Sequence, residues 1–213
     1  MKLTMAPWIR KAYKDLIKVA DNAFKSFAER YNGIKCAPRC TDCCHAVFGL
    51  FHVEGILIHE AYQRLNNEIK AEVAHRAFEA LNSLKFLSNL NGLLGGKAIS
   101  QKISRIKIRC PFLGDDQLCV IYQKRPITCR VYGIPILLRG TIRRCPLSAL
   151  EEEHLTTFDM DSIHKKLYEL SSFFLKDNRI FDQEKSRLMI SVPYAILKPY
   201  DVLIDQSVFG GLL

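Results

Sequence analysis

Eight cysteines, arranged in two groups, constrain this 213-residue chain more than any other feature. The first group is Cys36, Cys40, Cys43 and Cys44; the second is Cys110, Cys119, Cys129 and Cys145. The N-terminal residues lack the apolar segment of a secretory signal, so we expect a cytoplasmic protein whose thiols stay reduced. All eight cysteines are therefore candidate metal ligands, and a disulfide framework is the alternative.

The spacing of the cysteines is a poor match to a zinc ribbon. Only Cys40 and Cys43 are separated by the two residues of a zinc knuckle, and a ribbon needs two such knuckles. Cys43 and Cys44 are adjacent, and in an extended segment their side chains would point to opposite sides. One tetrahedral ion would then be awkward for both, so they serve two sites or one of them is free.

The positive charge of the chain is concentrated around the second cysteine group. Residues 97–145 contain eleven basic and two acidic residues, which accounts for the whole net charge of +9. This excess predicts either compensation of thiolate charge or a nucleic-acid-binding surface. Arg130, beside Cys129, is the residue we expect to lie next to a bound cofactor. No segment is long and apolar enough to suggest a membrane span.

Hydrophobic periodicity predicts helices on both sides of the cysteines. The apolar residues of 8–31 recur every three or four positions, and 161–176 repeats this pattern after Asp161, a candidate N-cap. A further helix is predicted from Leu65 toward Asn91-Gly92 or Gly95-Gly96. We expect a strand before Cys110, a helical turn after Arg125-Pro126 and a hairpin around Arg139-Gly140.

These elements predict a fold class and a domain organisation. The fold class is mainly α, with a small irregular α+β cysteine-cluster core and long flanking helices. The 213 residues are predicted to form a single domain, in which residues 36–145 are the metal-binding region.

The chain resembles the YkgJ-type cysteine-cluster family, described as zinc- or iron-chelating and named for a CxxCxxCC motif. Here the motif reads Cys36-x3-Cys40-x2-Cys43-Cys44, with three residues rather than two in the first gap. The second half carries a more specific phrase, Cys119-Val-Ile-Tyr-Gln-Lys-Arg-Pro-Ile-Thr-Cys129-Arg130. Some relatives resemble flagellin lysine N-methylases, in which such a domain is associated with an iron-sulfur centre. The resemblance thus implies an iron-sulfur cluster, [4Fe-4S] in type, with zinc as the alternative.

Three functional hypotheses follow. The first is a metal-binding protein with a structural, electron-carrying or interaction role and a protein partner. The second is a cluster-dependent transferase similar to the flagellin lysine N-methylases, although the chain lacks a glycine-rich loop for a nucleotide-like cofactor. The third is a zinc-stabilised module that binds nucleic acid through residues 97–145. The spacing of Cys36, Cys40 and Cys43 also matches a radical S-adenosylmethionine loop, but Asp42 stands where that loop has an aromatic residue.

Overall fold

The computed structural model describes residues 3–93, 106–150 and 155–198, except for the side chains of 88–93. Its α-helices are α1 (Pro7–Arg30), α2 (His52–Gln63), α3 (Asn67–Leu93), α4 (Ile127–Val131), α5 (Met160–Asp177), α6 (Gln183–Arg187) and α7 (Val192–Leu197). Its strands are β1 (Gly49–Leu50), β2 (Ile136–Leu138), β3 (Thr141–Arg143), β4 (Phe158–Asp159) and β5 (Ile190–Ser191). The predicted fold class, mainly α with a small α+β region, is confirmed.

The predicted N-terminal helix is α1, and its burial pattern explains why it forms. Pro7 lies in the first turn, where backbone N–H groups have no partner within the helix, so the missing N–H of proline costs no hydrogen bond. Ile9, Tyr13, Leu16 and Ala20 are buried along one side of the helix. This side packs against α5 and against the short helix α4. Because α4 contains Cys129, α1 supports one side of the cysteine region.

The predicted helix 161–176 is α5, but its N-cap differs from the prediction. Asp159 caps the helix, because its Oδ1 accepts a hydrogen bond from the Ser162 N–H at 2.9 Å. Asp161 lies in the first turn of the helix, two residues after the cap, and accepts the Arg139 N–H at 2.9 Å instead. The prediction of Asp161 as the N-cap is therefore wrong. The chain is extended through Asp159, in β4, and the helix begins directly after it, at Met160. This start is one residue earlier than the sequence indicated.

The central helix of the body, α2, has no strong periodic signal in the sequence. Val53, Ile56, Ile58 and Ala61 are buried on several of its sides, since α5 and α7 both pack against it. A helix surrounded in this way needs no polar face. The strand β1 leads into α2 and pairs antiparallel with β5, which leads into α7.

The predicted hairpin is formed by β2 and β3, which pair antiparallel, while β4 adds parallel to β2. Arg139 and Gly140 at its tip have φ values of 53° and 69°, the left-handed conformation that a two-residue hairpin turn requires. The predicted strand before Cys110 is reduced to a single bridge between Lys107 and Ala46.

The predicted helix after Leu65 is α3, which packs against α7 and continues to Leu93. The candidate stop at Gly95-Gly96 lies outside the described residues. The helical turn predicted after Arg125-Pro126 is α4. Among the described residues, no helix is long and apolar enough to cross a membrane.

Candidate metal centre

The first cysteine group is folded into two tight turns. The Cys40 N–H donates to the Ala37 carbonyl at 3.0 Å, and the Cys44 N–H donates to the Thr41 carbonyl at 2.9 Å. The second turn is a 3-10 helix, Asp42–His45, so Cys43 and Cys44 are not in the extended conformation that would separate their side chains. Their sulfur atoms lie 4.0 Å apart.

Backbone hydrogen bonds hold this group against the start of the second one. The Cys110 N–H donates to the Cys44 carbonyl at 2.6 Å, and the Ile108 N–H donates to the His45 carbonyl at 3.0 Å. The His45 ring nitrogen Nδ1 is hydrogen-bonded to the Thr41 carbonyl at 2.9 Å, which gives His45 a local structural role. Cysteines more than sixty positions apart in the sequence are thus brought together by main-chain contacts.

Three cysteines of the second group open the same kind of turn. In each, the carbonyl of the cysteine accepts the N–H three residues later, at 3.0 Å for Cys110, 3.1 Å for Cys119 and 3.0 Å for Cys145. Backbone N–H groups in these turns also donate to the cysteine sulfurs. Such hydrogen bonds favour the thiolate, the form in which cysteine binds metals. The local folding of these turns therefore prepares the sulfurs as ligands.

All eight cysteines line one cavity of about 540 Å³. Each of them is a free thiol; Cys36 is exposed, Cys145 is buried and the others are partly buried. The liquid volume of one water molecule is about 30 Å³, so the cavity is far larger than a single metal ion requires. Among the described residues, no three His, Cys, Asp or Glu side chains are grouped so that they could hold one ion.

One set of four cysteines, which we call the inner group, consists of Cys43, Cys110, Cys119 and Cys129. Burial raises the pKa of Cys110 to about 12 and is the main reason that the pKa of Cys129 lies well above its usual range. The charges of Cys43, Cys110 and Cys119 raise the Cys129 pKa further. The pKa of Cys43 is raised first by its hydrogen bond with Cys44 and then by burial.

A second set, which we call the outer group, consists of Cys36, Cys40 and Cys145. Burial of the sulfur, followed by the charges of Cys40, Cys145 and Cys43, raises the pKa of Cys36 to about 11. Burial also raises the pKa of Cys145, and the charge of Asp42 adds to it. For Cys36, Cys145 and the four inner-group cysteines the neutral thiol is favoured until a cation is present, so metal binding would release protons.

Arg130 lines the cavity, but its hydrogen bonds are made elsewhere. Its guanidinium donates to both oxygens of Asp21, at 2.9 and 2.8 Å, and to the carbonyls of Arg125 and Gln123. The guanidinium beside the sulfurs is that of Arg125, whose charge lowers the pKa values of inner-group cysteines and of Cys36. The prediction that Arg130 contacts a cofactor stays a prediction.

Arg125 and Asp42 have positions that the sequence did not reveal. The Arg125 guanidinium lies 4.0 Å from the centre of the Tyr122 ring, and its buried Nε has no hydrogen-bond partner within the described part of the chain. Asp42 accepts hydrogen bonds from Lys107 at 2.7 Å, Tyr132 at 2.8 Å and the Cys145 thiol at 3.8 Å. These contacts span 65 to 103 positions in the chain, so no local pattern predicts them.

The residues present fit a thiolate-bound metal group. The cavity offers eight sulfurs, backbone N–H donors to several of them and a cationic guanidinium, which together suit an anionic metal–thiolate centre. Together with the helical fold, this defines the class: a cysteine-rich, metal-chelating protein.

Comparison with known proteins gives the family. The CxxCxxCC family, described as a zinc- or iron-chelating domain, matches residues 35–143, just over half of the chain. The chain belongs to this family, and metal binding through its cysteine cluster follows from that membership. No protein among those with curated functions and no solved structure matches the chain.

Proposed function

We propose that the cysteine cavity holds an iron-sulfur cluster, [4Fe-4S] in type, and that the protein uses it in a structural, electron-carrying or interaction role. The observation that carries the proposal is the cavity itself, which all eight cysteines line and which is much larger than one ion. Tetrahedral zinc, with Zn–S bonds of about 2.3 Å, would bring its four sulfurs within roughly 4 Å of one another. A multinuclear group makes use of more of the eight sulfurs and of more of this volume than one zinc ion would.

The chain would hold the cluster with its thiolates and would balance their charge with Arg125. When bound, the cluster supplies a reversible one-electron couple, and its potential depends on hydrogen bonds to the sulfurs and on solvent exposure. The N–H groups that donate to Cys110, Cys119 and Cys145, together with Arg125, favour the more negative, reduced state. These residues would therefore raise the reduction potential.

Metal and acid-labile sulfide analysis, with a visible absorption spectrum, tests the proposal on protein purified without oxygen. We expect iron and sulfide in similar amounts and a broad visible band that bleaches on reduction. A Cys129→Ser variant should lose iron, whereas Thr128→Ser, one position away, should retain it. A colourless protein that contains zinc and no sulfide would replace the cluster with a structural zinc site.

A second candidate, the cluster-dependent transferase, is favoured by the apolar wall of the same cavity. Phe48, Leu84 and Val192 line it together with the cysteines, and organic-ligand sites commonly combine such a wall with a few polar groups. Saturable binding of S-adenosylmethionine would support this candidate, and its absence would remove the methyltransferase version.

The described basic residues give less support to nucleic-acid binding. Lys107 is paired with Asp42 at 2.7 Å, Arg109 with Asp115 at 2.6 Å, and Arg130 with Asp21 at 2.8 Å. Part of the positive charge of residues 97–145 is thus neutralised within the protein. This pairing weakens the case for a nucleic acid as the partner.

A further inference from the structure

Four arginines of the described chain line the cysteine cavity: Arg39, Arg109, Arg125 and Arg130. Two of them already have carboxylate partners. Arg109 is paired with Asp115 at 2.6 Å, and Arg130 is held by both oxygens of Asp21. Within the described residues, Arg39 and Arg125 form no ion pair, and their side chains donate no hydrogen bond. Two guanidinium groups of the cavity wall are therefore available to a ligand.

The Arg125 guanidinium is positioned by an aromatic ring rather than by an acceptor. It lies over the Tyr122 ring, 4.0 Å from its centre. This contact uses the face of the planar group, whereas its N–H donors point outward in the plane. Nε is buried without a partner, and the terminal nitrogens Nη1 and Nη2, which also have none in the described chain, remain accessible. Arg125 thus offers the cavity a pair of unused donors.

The cavity wall does not neutralise this positive charge. Asp42 is the only carboxylate among the described residues that line the cavity. It already accepts hydrogen bonds from Lys107 at 2.7 Å and from Tyr132 at 2.8 Å. A concave surface with uncompensated charge of one sign attracts a ligand of the opposite sign. The charges of Arg39 and Arg125 therefore favour an anion.

Much of the remaining wall is apolar. It includes the side chains of Val47, Phe48, Ile58, Leu84, Ile108 and Val192. The volume of about 540 Å³ lies within the range of small-molecule sites, about 300–1,000 Å³, which combine an apolar wall with a few polar groups. An inorganic anion would leave this apolar surface unused, whereas an organic anion would cover it.

We propose that the cavity binds a small organic anion whose carboxylate pairs with Arg125 and whose apolar body lies against the apolar wall. A carboxylate is planar and can accept two parallel N–H bonds from one guanidinium. The charge of Arg125 also lowers the pKa values of Cys36 and Cys129, so the bound carboxylate would lie beside the sulfurs. Arg39 adds a second positive charge, which would help to hold an anion next to a thiolate-bound metal. The inference goes beyond the proposed function and does not require a particular metal.

Calorimetric titration of the wild-type protein with hexanoate tests both halves of the proposed ligand. We expect saturable binding, with affinity that rises from acetate through butanoate to hexanoate by up to about fourfold for each methylene group. Hexanamide has the same shape without the charge and should bind at least about tenfold more weakly, because hydrogen bonds to charged groups are the stronger ones. Hexyl phosphate should also bind more weakly than hexanoate, since the proposed head group is a carboxylate.

Substitution of Arg125 tests the position of the head group. Arg125→Gln should weaken hexanoate binding by about tenfold to a hundredfold, and Arg39→Gln by less, because the exposed Arg39 is screened by water. Lys124→Gln is the matched control: it removes the same charge from the neighbouring position, which is not among the described residues of the cavity wall. It should bind hexanoate as the wild type does. Circular dichroism shows that each variant is folded.

Several results would overturn the inference. No saturable binding of hexanoate, or equal binding of hexanamide, would remove the carboxylate site, and neither result needs a variant. Tighter binding of hexyl phosphate would contradict a carboxylate head group, and an unchanged affinity in Arg125→Gln would contradict its placement. Metal content measured on the same wild-type sample keeps the two proposals apart. Hexanoate binding by a protein that holds no metal would refute the proposed function alone, and metal without hexanoate binding would refute only this inference.

Discussion

The helical body and the cysteine region of this protein are stabilised in different ways. In the body, which consists of α1, α2, α3, α5 and α7, apolar side chains such as Ile9, Leu167 and Phe174 are completely or almost completely buried. The cysteine region, residues 33–48 and 106–149, consists mainly of turns, bridges and short helices around a cavity. Both parts are stabilised by hydrophobic burial, since Phe112, Ile127 and Ile134 of the region belong to the same core as the body. Only the region adds partly buried thiols that need a cation to ionise.

This difference implies that the two parts depend unequally on metal. A packed apolar core can fold without a cofactor, and removal of a metal acts first on the residues that surround its ligands. The body would then act as a support on which the cysteine region is completed by its metal.

Removal of metal should give the largest effect. For a structural metal site the binding free energy is about 10 kcal/mol or more, so chelation should strongly loosen the residues around it. We expect amide hydrogen exchange of Ile108 and Cys110 to accelerate by more than about tenfold, while amides of α1 and α5 change little. Exchange mass spectrometry of the metal-loaded and chelated protein measures this. Equal acceleration throughout the chain would show that the body depends on metal as well.

The same division explains which features the sequence predicted. The helices α1 and α5 bury one side, so their apolar residues are periodic, and the hairpin was marked by Arg139-Gly140. The helix α2 was missed because it is buried on several sides, and Gly55 interrupts its apolar residues. In the cysteine region the ligand types could be predicted, since thiols are conspicuous. Their grouping could not, because it depends on long-range pairs such as Asp42 with Tyr132.

Glu54 connects the two parts and should give a smaller, pH-dependent effect. Its buried carboxylate accepts hydrogen bonds from the Ile127 N–H at 3.0 Å, in α4, and from the Phe51 N–H at 3.3 Å and the Tyr13 hydroxyl at 3.4 Å, in the body. Burial raises the pKa of Glu54 from 4.5 to about 7. The charged form is therefore disfavoured in the folded protein.

The sign of the pH effect follows from this shift. Between pH 4.5 and 7 the unfolded chain has lost the proton that folded Glu54 retains, so the free energy of unfolding falls as the pH rises. The loss should approach about 3 kcal/mol and level off above pH 7. Glu54→Gln keeps an oxygen acceptor but does not titrate, so its stability should depend less on pH. Urea unfolding of both proteins at pH 5 and pH 8, with metal bound, gives the comparison; parallel changes would exclude Glu54 as the cause.

Gly133→Ala should give the smallest and most local effect. The new methyl group would overlap the Cys36 sulfur and come within 3.3 Å of the Phe24 ring, so we expect Cys36 to be displaced at an overpacking cost of about 1–3 kcal/mol. Because Cys36 lines the cysteine cavity, the metal content per folded chain should decrease. Gly114→Ala is the matched control, because its methyl group would meet the movable Asp116 side chain between Cys110 and Cys119. If the control lost metal and Gly133→Ala did not, the contact between Gly133 and Cys36 would not be what positions Cys36 for metal binding.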